Sequence, residues 1–263
     1  DLLPPSPTLD LPAELAAAQK EPRVVPTGCE DFLAAMQGDA KPAAVDIALD
    51  DVALMTYTSG TTGLPKGAML SYGNALFKTT MCADCNGVTG EDVLLSIAPL
   101  YHIAGMLMGV NVPVVTGATS VLLHRFDPRT TLQAIARYRV TWWYSIAPMN
   151  VACMQVPGAA DFDLSSLRMN PVTSFGIAFT EPLARQWQAL AKNCTSQEAA
   201  YGLSETHTCD TYTPAGQAKW GTQGIPVPGV TIRILDPETG RELPAGEVGE
   251  IVLRSPGTFK GYW

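Results

Sequence analysis

The sequence has few charged residues and no excess of basic ones. Charged side chains make up 16% of the 263 residues, and 25 acidic residues against 17 Lys and Arg give a net charge of −8. A protein that binds nucleic acid needs a basic surface to neutralise phosphates, so this composition argues against that class. Hydrophobic residues make up 46% of the chain, enough for a substantial core, which argues against intrinsic disorder.

The chain also lacks an unbroken apolar run that could form a membrane-spanning helix. Residues 93–123 contain no Asp, Glu, Lys or Arg, but Pro and Gly residues divide the stretch into short pieces. A spanning helix needs about 20 consecutive apolar residues. The stretch is therefore predicted to form strand, loop, helix and strand inside a fold, although peripheral contact with a membrane stays compatible with the sequence.

The six cysteines show no disulfide framework, and we recognise no signal peptide. A chain of this length does not need disulfides for stability, so we expect reduced thiols in a cytoplasmic protein. Cys82 and Cys85 form a single C-x-x-C pattern without a second pair to complete a zinc site. Two half-buried cysteines one helical turn apart are the favoured interpretation.

The apolar patterns divide the chain into three parts. Residues 1–50 are rich in Pro and Ala and are predicted to be a peripheral lead-in, with short helical patterns over 14–20 and 31–36. Residues 51–220 alternate apolar strands with amphipathic helices, which predicts an α/β core with a mainly parallel sheet flanked by helices. Residues 221–263 are predicted to be β-rich, the truncated start of a small β-barrel-like subdomain.

Individual elements follow from the same patterns. The predicted strands are 52–57, 93–97, 120–123, 140–145, 230–235 and 248–253, and the predicted helices are 72–85, 128–138 and 181–190.

The strongest chemical signal is the sequence YTSGTTGLPKG at residues 57–67. Hydroxyl side chains and backbone N–H groups of such a loop can surround phosphate oxygens, and Lys66 adds a positive charge. Pro65 and Gly67 exclude a Walker A loop, which requires Gly before the Lys and Ser or Thr after it. A phosphate-binding loop is favoured over a surface turn because hydroxyl residues, glycines and a Lys follow a predicted strand so closely.

This loop resembles the phosphate-binding signature of the adenylate-forming superfamily, which includes acyl-CoA synthetases, luciferases and the adenylation domains of peptide synthetases. Further elements resemble motifs of the same family and follow in its order. They are A-P-L-Y-H-I-A-G at 98–105, Y-G-L-S-E-T at 201–206, and G-E-V-G-E-I at 246–251 with K-G-Y-W at 260–263. The resemblance covers residues 51–263 and implies a fragment of the large N-terminal domain of such an enzyme.

In this family a carboxylic acid reacts with ATP to give an acyl-adenylate and pyrophosphate, and a thiol then displaces AMP. The resemblance therefore implies ATP, Mg²⁺ and coenzyme A as cofactor and co-substrates, and a small carboxylic acid as substrate. The segments 224–230 and 236–240 look most like fatty-acyl and related acid–CoA ligases. An acid–CoA ligase, with a fatty acid as its expected substrate, is favoured over a peptide-synthetase-type adenylation domain or a non-catalytic nucleotide-binding fragment.

The resemblance also implies roles for single residues. Lys66 and Glu205 are expected to be catalytic, Glu205 as the ligand of Mg²⁺, and His102 is expected to orient the acid. The residues expected to bind ATP or AMP are Thr58, Ser59, Gly60, Thr61, Thr62, Gly63, Lys66, Gly176, Ile177, Ala178, Tyr201, Gly202, Leu203 and Ser204.

Two features of the sequence concern the part of the expected site that binds the acid. The turn S-F-G-I-A-F at 174–179 stands where the family has S-G-G-A-P-L, so backbone contacts to adenine can survive while bulkier side chains narrow the acid channel. A group of large apolar residues either lines the acid pocket or belongs to the core, and the sequence leaves both readings open. The group comprises Trp142, Trp143, Tyr144 and Met149.

The ends of the chain suggest a part of a longer protein. The sequence begins at Asp1 and ends at Trp263 directly after a predicted strand. The ribose-binding Asp of the family and its C-terminal lid domain, with a catalytic Lys, do not occur in these residues. We therefore expect that this chain alone does not complete a turnover, and the sequence leaves the oligomeric state undetermined.

Overall fold

The computed structural model describes residues 24–37, 43–59 and 63–263. The chain divides into two compact units, residues 1–48 and 49–263. In the first unit the described residues include one short helix, α1 (Phe32–Ala35), within the predicted helical segment 31–36. The helical pattern predicted over 14–20 lies outside the described residues.

The second unit is built around a parallel sheet. Its strands are β3 (Val93–Ser96), β4 (Thr119–Leu122), β5 (Trp142–Trp143), β6 (Ser145–Ile146), β7 (Met169–Thr173) and β8 (Thr195–Glu198). Within the described residues the strand order is β4-β3-β5-β7-β6, and β8 pairs with β7. Every strand pair in this sheet is parallel, which confirms the predicted fold class.

Helices connect these strands, and local sequence sets where they begin. The Ser71 side chain accepts a hydrogen bond from the Asn74 N–H at 3.2 Å, and Asn74 Oδ1 accepts one from the Ser71 N–H. These two hydrogen bonds form a capping box at the start of the first long helix. Another helix starts with a single cap, since Asp127 Oδ1 accepts from the Thr130 N–H at 2.8 Å and Pro128 occupies the first turn. The helices are α2 (Tyr72–Cys85), α3 (Ile103–Met106), a π-helical turn (Leu107–Asn111), α4 (Val112–Thr116), α5 (Pro128–Tyr138), α6 (Ala147–Met154) and α7 (Glu181–Leu190).

The uncharged stretch 93–123 forms β3, α3, the π-helical turn, α4 and β4, which agrees with its predicted division into short pieces. The expectation that all of them are buried is wrong, since Val114 and Val115 of α4 are exposed. Among the described residues, no helix combines the length and the apolar character that crossing a membrane requires.

The main hydrophobic core lies between the sheet and helices α5 to α7. Trp143 and Trp187 are fully buried there, with ring centroids 5.8 Å apart. Leu132 and Ile135 of α5 complete this layer without exposed surface. Burying such side chains removes about 1.5–3 kcal/mol of unfavourable hydration each.

The prediction of one continuous strand over 140–145 is wrong. Two short strands, β5 and β6, lie on either side of Tyr144 and differ in the strands with which they pair. β5 pairs with β3 and β7, whereas β6 pairs with β7 alone. The Tyr144 hydroxyl lies 3.1 Å from Thr173 Oγ1, so this residue joins a side-chain contact at the point where the strand is interrupted.

Shorter antiparallel sheets complete the second unit. β1 (Val52–Thr58) pairs with β2 (Lys66–Ser71), and Thr58 lies opposite Lys66 at the end of the hairpin where the connecting loop begins. The C-terminal segment then runs along β2, where Met69 N donates to Gly261 O and Trp263 N donates to Gly67 O. The other pairs are β9 (Thr211–Tyr212) with β10 (Ile225–Pro226), and β11 (Thr231–Leu235) with β12 (Glu250–Arg254).

An ion pair joins loops at the amino ends of the parallel strands. Arg168 donates to both carboxylate oxygens of Asp92, at 2.9 and 2.7 Å, and Asp92 also accepts from Thr141 and from the Thr89 N–H. Burial raises the pKa of this carboxyl, but the hydrogen bonds and the guanidinium outweigh burial and lower the pKa to about 2.

Candidate functional site

Loops that follow the carboxyl ends of the parallel strands converge on one side of the sheet. The loop after β3 carries His102, the loop after β7 carries Gly176, and the loop after β8 carries Glu205. In open α/β sheets, ligands bind at this end of the strands because the loops there diverge and leave a crevice. The β1–β2 hairpin adds Lys66 from outside the sheet.

The first cavity has a volume of about 430 Å³ and a polar wall. It brings together six of the fourteen residues predicted to bind ATP or AMP, along with His102 and Glu205, and its walls come from four separate parts of the sequence. Its lining comprises Thr58, Ser59, Lys66, His102, Ile103, Gly202, Leu203, Ser204, Glu205, Thr208 and Tyr262. A concave site with hydroxyls, one ammonium and one carboxylate suits a polyanion accompanied by a divalent cation.

Glu205 and Lys66 lie on the two sides of Tyr262 in this cavity. The Tyr262 hydroxyl donates a 2.7 Å hydrogen bond to Glu205 Oε1, and Lys66 Nζ lies 5.3 Å from the centre of the Tyr262 ring. The hydrogen bond to the Glu205 carboxylate is the main cause of a raised pKa of Tyr262. The backbone is tied as well, since Phe259 N donates to Glu205 O at 2.7 Å.

A second cavity of about 170 Å³ lies directly beside the first and is mainly apolar. His102, Gly202 and Thr208 line both cavities, so the two spaces meet at these residues. The remaining lining comprises Cys82, Asn86, Ala104, Leu107, Met108, Trp142, Tyr144, Pro171, Thr173, Ala199, Ala200 and Cys209.

His102 stands at this junction in a defined orientation. It is the N-cap of α3, and its Nδ1 accepts a hydrogen bond from the Ala104 N–H at 3.2 Å. Because Nδ1 acts as an acceptor, the neutral ring carries its proton on Nε2, which can donate to a ligand.

The turn predicted to contact adenine is not part of either cavity wall. Gly176, Ile177 and Ala178 are exposed, and Gly176 has a φ of +75°, a backbone conformation that favours glycine. Glu198 at the end of β8 anchors the start of this turn, since it accepts hydrogen bonds from both Ser174 N and Ser174 Oγ.

The other predicted nucleotide-binding residues fall in different places. Tyr201 is half-buried and its N–H donates to Thr211 Oγ1 at 2.8 Å, while burial raises the pKa of its hydroxyl. Gly63 is exposed and is not among the residues that line the first cavity. Gly60, Thr61 and Thr62 lie outside the described residues.

The four large apolar residues left open by the sequence divide between pocket and core. Trp142 and Tyr144 line the apolar cavity, and burial raises the pKa of the Tyr144 hydroxyl. Trp143 is buried in the main core. Met149 lines a different cavity of about 590 Å³ beyond the ends of β3 and β4.

The cysteines are free thiols, as expected from the sequence. Cys82 is buried and Cys85 half-buried on α2, which agrees with the favoured interpretation of their spacing. The Cys82 thiol donates to Met108 Sδ at 3.3 Å. The neighbouring Cys209 thiol and burial raise the pKa of Cys82, whereas the pKa of Cys209 is lowered by its interaction with Cys82. Within the described residues no three His, Cys, Asp or Glu side chains form a group that could hold a metal without a ligand's help.

Two features of the site were not assigned from the sequence. Tyr262 belongs to the K-G-Y-W element, but it lies 57 residues from Glu205 along the chain. Their contact depends on the pairing of the C-terminal segment with β2. Lys78 and Asp210 form a fully buried ion pair at 2.5 Å beneath the loop that carries Glu205. A lone Lys on the otherwise apolar and hydroxyl-bearing face of α2 is the signal that could have indicated a buried partner.

The sequence matches a known protein family along most of its length. The model of the family described as AMP-binding enzyme matches residues 6–263. The chain belongs to this family.

Similar proteins include CoA ligases of different substrate classes. A 4-coumarate–CoA ligase-like protein (number 9) of Oryza sativa subsp. japonica is 34% identical over 221 residues, which cover 81% of this chain and 40% of that protein. A long-chain-fatty-acid–CoA ligase of Bacillus subtilis (strain 168) is 32% identical over 219 residues, covering 81% and 38%. The chain thus spans about 40% of the length of these curated relatives.

A solved structure shares the fold. ATP-bound MatB from Rhodopseudomonas palustris superimposes with a TM-score of 0.74 at 33% identity, covering 85% of this chain and 43% of that one. More than half of that related chain is therefore not matched by this sequence.

Proposed function

We propose that the protein is an ATP-dependent acid–CoA ligase and that this chain supplies its phosphate-binding cavity and its acid pocket. The observation that carries the proposal is that the polar and apolar cavities meet at His102, Gly202 and Thr208. An acid in the apolar cavity would place its carboxylate at this junction, next to the α-phosphate of an ATP molecule in the polar cavity. Such proximity is what the joining of two substrates requires.

The polar cavity fits the polyphosphate of ATP. In this proposal Thr58, Ser59 and Lys66 hold the β- and γ-phosphates and the leaving pyrophosphate, and the Ser204 hydroxyl bonds an α-phosphate oxygen. The backbone of the turn at 176–178 and the ring of Tyr201 would bind adenine. Lys66 supplies the positive charge that the departing phosphates need.

Glu205 is suited to hold Mg²⁺ together with phosphate oxygens. Its carboxylate reaches the polar cavity and accepts only a hydroxyl hydrogen bond from Tyr262 among the described side chains, so an oxygen stays available. A hard divalent cation prefers carboxylate and phosphate oxygens, and Mg²⁺ bound there would neutralise phosphate charge.

His102 is the residue proposed to orient the acid. Its Nδ1 is occupied by Ala104 N–H, so its Nε2–H can donate to the carboxylate of the acid. This hydrogen bond would direct one carboxylate oxygen toward the phosphate. His102 would thereby align the two reacting groups without taking part in the bond change.

The apolar cavity bears on which acid is used. Fatty-acyl specificity is the prediction from the sequence, and the fatty-acid ligase among the relatives supports it. However, a cavity of about 150 Å³ holds a single benzene ring, and the apolar cavity measures about 170 Å³. Its volume and the walls formed by Trp142 and Tyr144 favour an aryl or short-chain acid as a second candidate substrate.

A substrate panel with the protein from its undivided gene tests the proposal. The acids tested are hexanoate, benzoate, 4-coumarate and palmitate. At least one of them should support acid-dependent exchange between pyrophosphate and ATP, followed by CoA thioester formation. A preference for palmitate supports the fatty-acyl prediction, and a preference for the compact acids supports the cavity-based candidate. No acid-dependent exchange with any acid would contradict the ligase proposal.

The chain of 263 residues should bind ATP but not complete a turnover, because the resemblance places the ribose-binding Asp and the lid Lys outside it. Acid-dependent pyrophosphate exchange by this chain alone, at a rate near that of the whole protein, would contradict this part of the proposal.

A further inference from the structure

The loop that carries Ser204 and Glu205 ends in a left-handed turn without glycine. His207, Thr208 and Cys209 have φ angles of 59°, 55° and 51°. Each non-glycine residue in this conformation costs free energy, so three in succession persist only where the surroundings hold them. The turn therefore needs contacts that fix it from outside.

A buried ion pair beneath the turn supplies these contacts. Lys78 Nζ lies 2.5 Å from Asp210 Oδ1, and both side chains have no exposed surface. The same ammonium donates to Cys209 O at 3.2 Å. Lys78 thus holds both the last residue of the left-handed turn and the residue that follows it.

Asp210 ties the two ends of the turn together. One carboxylate oxygen binds Lys78, and the other accepts a hydrogen bond from Thr206 Oγ1, directly after Glu205. Backbone hydrogen bonds close the loop as well, from Thr208 N to Leu203 O and from Asp210 N to Tyr201 O, both at 2.8 Å.

The C-terminal segment covers this pair. A Cβ atom at Gly257 would lie 2.3 Å from Lys78 Cε and 2.8 Å from Thr206 O, so only glycine allows the segment to approach so closely. Water is thereby excluded from the ion pair, and neither Lys78 nor Asp210 lines the polar cavity. Their influence on a ligand must pass through the turn.

We infer that Lys78 and Asp210 are positioning residues, whose buried ion pair holds the left-handed turn in the conformation that presents Ser204 and Glu205 to the polar cavity. The role of that cavity in binding metal and nucleotide rests on the proposed function. The effect of the ion pair on the turn does not, and it can be measured without any ligand.

The test compares two double variants of the chain. Lys78→Met/Asp210→Leu removes both buried charges and leaves apolar side chains of similar length. Proteins often keep their stability when a buried ion pair is replaced in this way. Arg168→Met/Asp92→Leu removes the ion pair at the opposite end of the sheet and serves as the matched control. Thr206→Val removes only the hydroxyl link to Asp210 and provides the test if the first variant does not fold.

Hydrogen exchange of the amides of Thr208 and Asp210 gives the ligand-free readout. We expect exchange at these two amides to accelerate about tenfold or more in Lys78→Met/Asp210→Leu and to rise in Thr206→Val, because local opening governs exchange. The control should leave them unchanged. Unchanged exchange in both test variants, or equal acceleration in the control, would overturn the inference.

Binding of Mn²⁺ with ATP gives the second readout. Loss of a residue that orients a metal ligand typically weakens metal binding by about tenfold or more, so the Mn²⁺–ATP complex should bind about tenfold more weakly while metal-free ATP binds as before. Equal weakening with and without metal would show a merely structural role. If the unsubstituted chain binds no Mn²⁺–ATP, the proposed function fails, and the exchange experiment still decides the role of the ion pair.

Discussion

The Tyr262 hydroxyl donates a 2.7 Å hydrogen bond to Glu205 Oε1. Backbone pairing of the C-terminal segment with β2 brings this tyrosine to the carboxylate. The same ring lies beneath the ammonium of Lys66. One aromatic residue therefore contacts both charged groups proposed to bind metal and phosphate.

Replacing Tyr262 with Phe tests whether the hydroxyl orients the carboxylate. We expect Tyr262→Phe to weaken Mn²⁺–ATP binding by about tenfold, since hydrogen bonds to a ligating group fix its direction. Glu205→Gln should raise the Mg²⁺ requirement further. Tyr72→Phe, on an exposed tyrosine at the start of α2 that lines neither cavity, is the control. Tighter metal binding by Tyr262→Phe would mean that the hydroxyl only competes with the metal.

Removing the Lys66 ammonium should affect catalysis more than folding. In the whole protein, Lys66→Ala should slow adenylation about 10²-fold or more, because a positive charge at the leaving phosphates stabilises the transition state. Lys66 is exposed, so stability should change by no more than about 0.5 kcal/mol. Lys192→Ala, on another exposed lysine, is the control. Equal rates for Lys66→Ala and the unsubstituted enzyme would contradict the assignment.

Removing only one partner of the buried ion pair should destabilise the fold strongly. Lys78→Met leaves the Asp210 carboxylate buried without a counter-charge, which costs about 3–5 kcal/mol. Adding Asp210→Leu should restore much of this stability because no unpaired charge then stays buried. Urea denaturation of the single and double variants measures the difference. If both variants lose the same stability, the ionic contact does not contribute to the fold.

The Asp92–Arg168 pair should make stability sensitive to acid. The pKa of Asp92 in the folded protein is about 2, below the value of about 3.9 for an unfolded chain. Its stabilising effect is therefore complete above about pH 4 and is lost as pH falls through about 2. Urea denaturation between pH 7 and pH 2.5 should show this loss.

Asp92→Asn is the matched variant for this measurement. It should cost about 1.5–3 kcal/mol near neutral pH, where charged hydrogen bonds are lost, and less at pH 2.5. An equal cost at both pH values would show that titration of this carboxyl does not govern the acid response.

Much of the α/β unit could be predicted because its patterns are local. The helices at 72–85, 128–138 and 181–190 begin and end as expected, since caps, prolines and apolar spacing lie within each segment. The strand predicted over 140–145 is interrupted at Tyr144, which separates β5 from β6 and contacts Thr173 with its hydroxyl. A contact between segments so distant along the chain leaves no trace in local spacing.

The site could be predicted only in part for the same reason. The loop at 57–67 and the Y-G-L-S-E-T element carry recognisable chemistry, and Lys66, His102 and Glu205 do line one cavity. The ion pair between Lys78 and Asp210 was not predicted, because a single Lys in a helix gives no indication of its partner 132 residues later.

The sequence by itself determined most of the kinds of elements in this protein, their order and the residues proposed to bind phosphate. Hydrogen bonding within a helix, strand periodicity and turn residues act over a few positions and can be read along the chain. Only the tertiary structure decided that the polar and apolar cavities meet at His102, and that Tyr262 reaches Glu205. These contacts depend on how distant segments pack against each other. Burial of the shared core sets that packing, and short-range sequence patterns do not specify it.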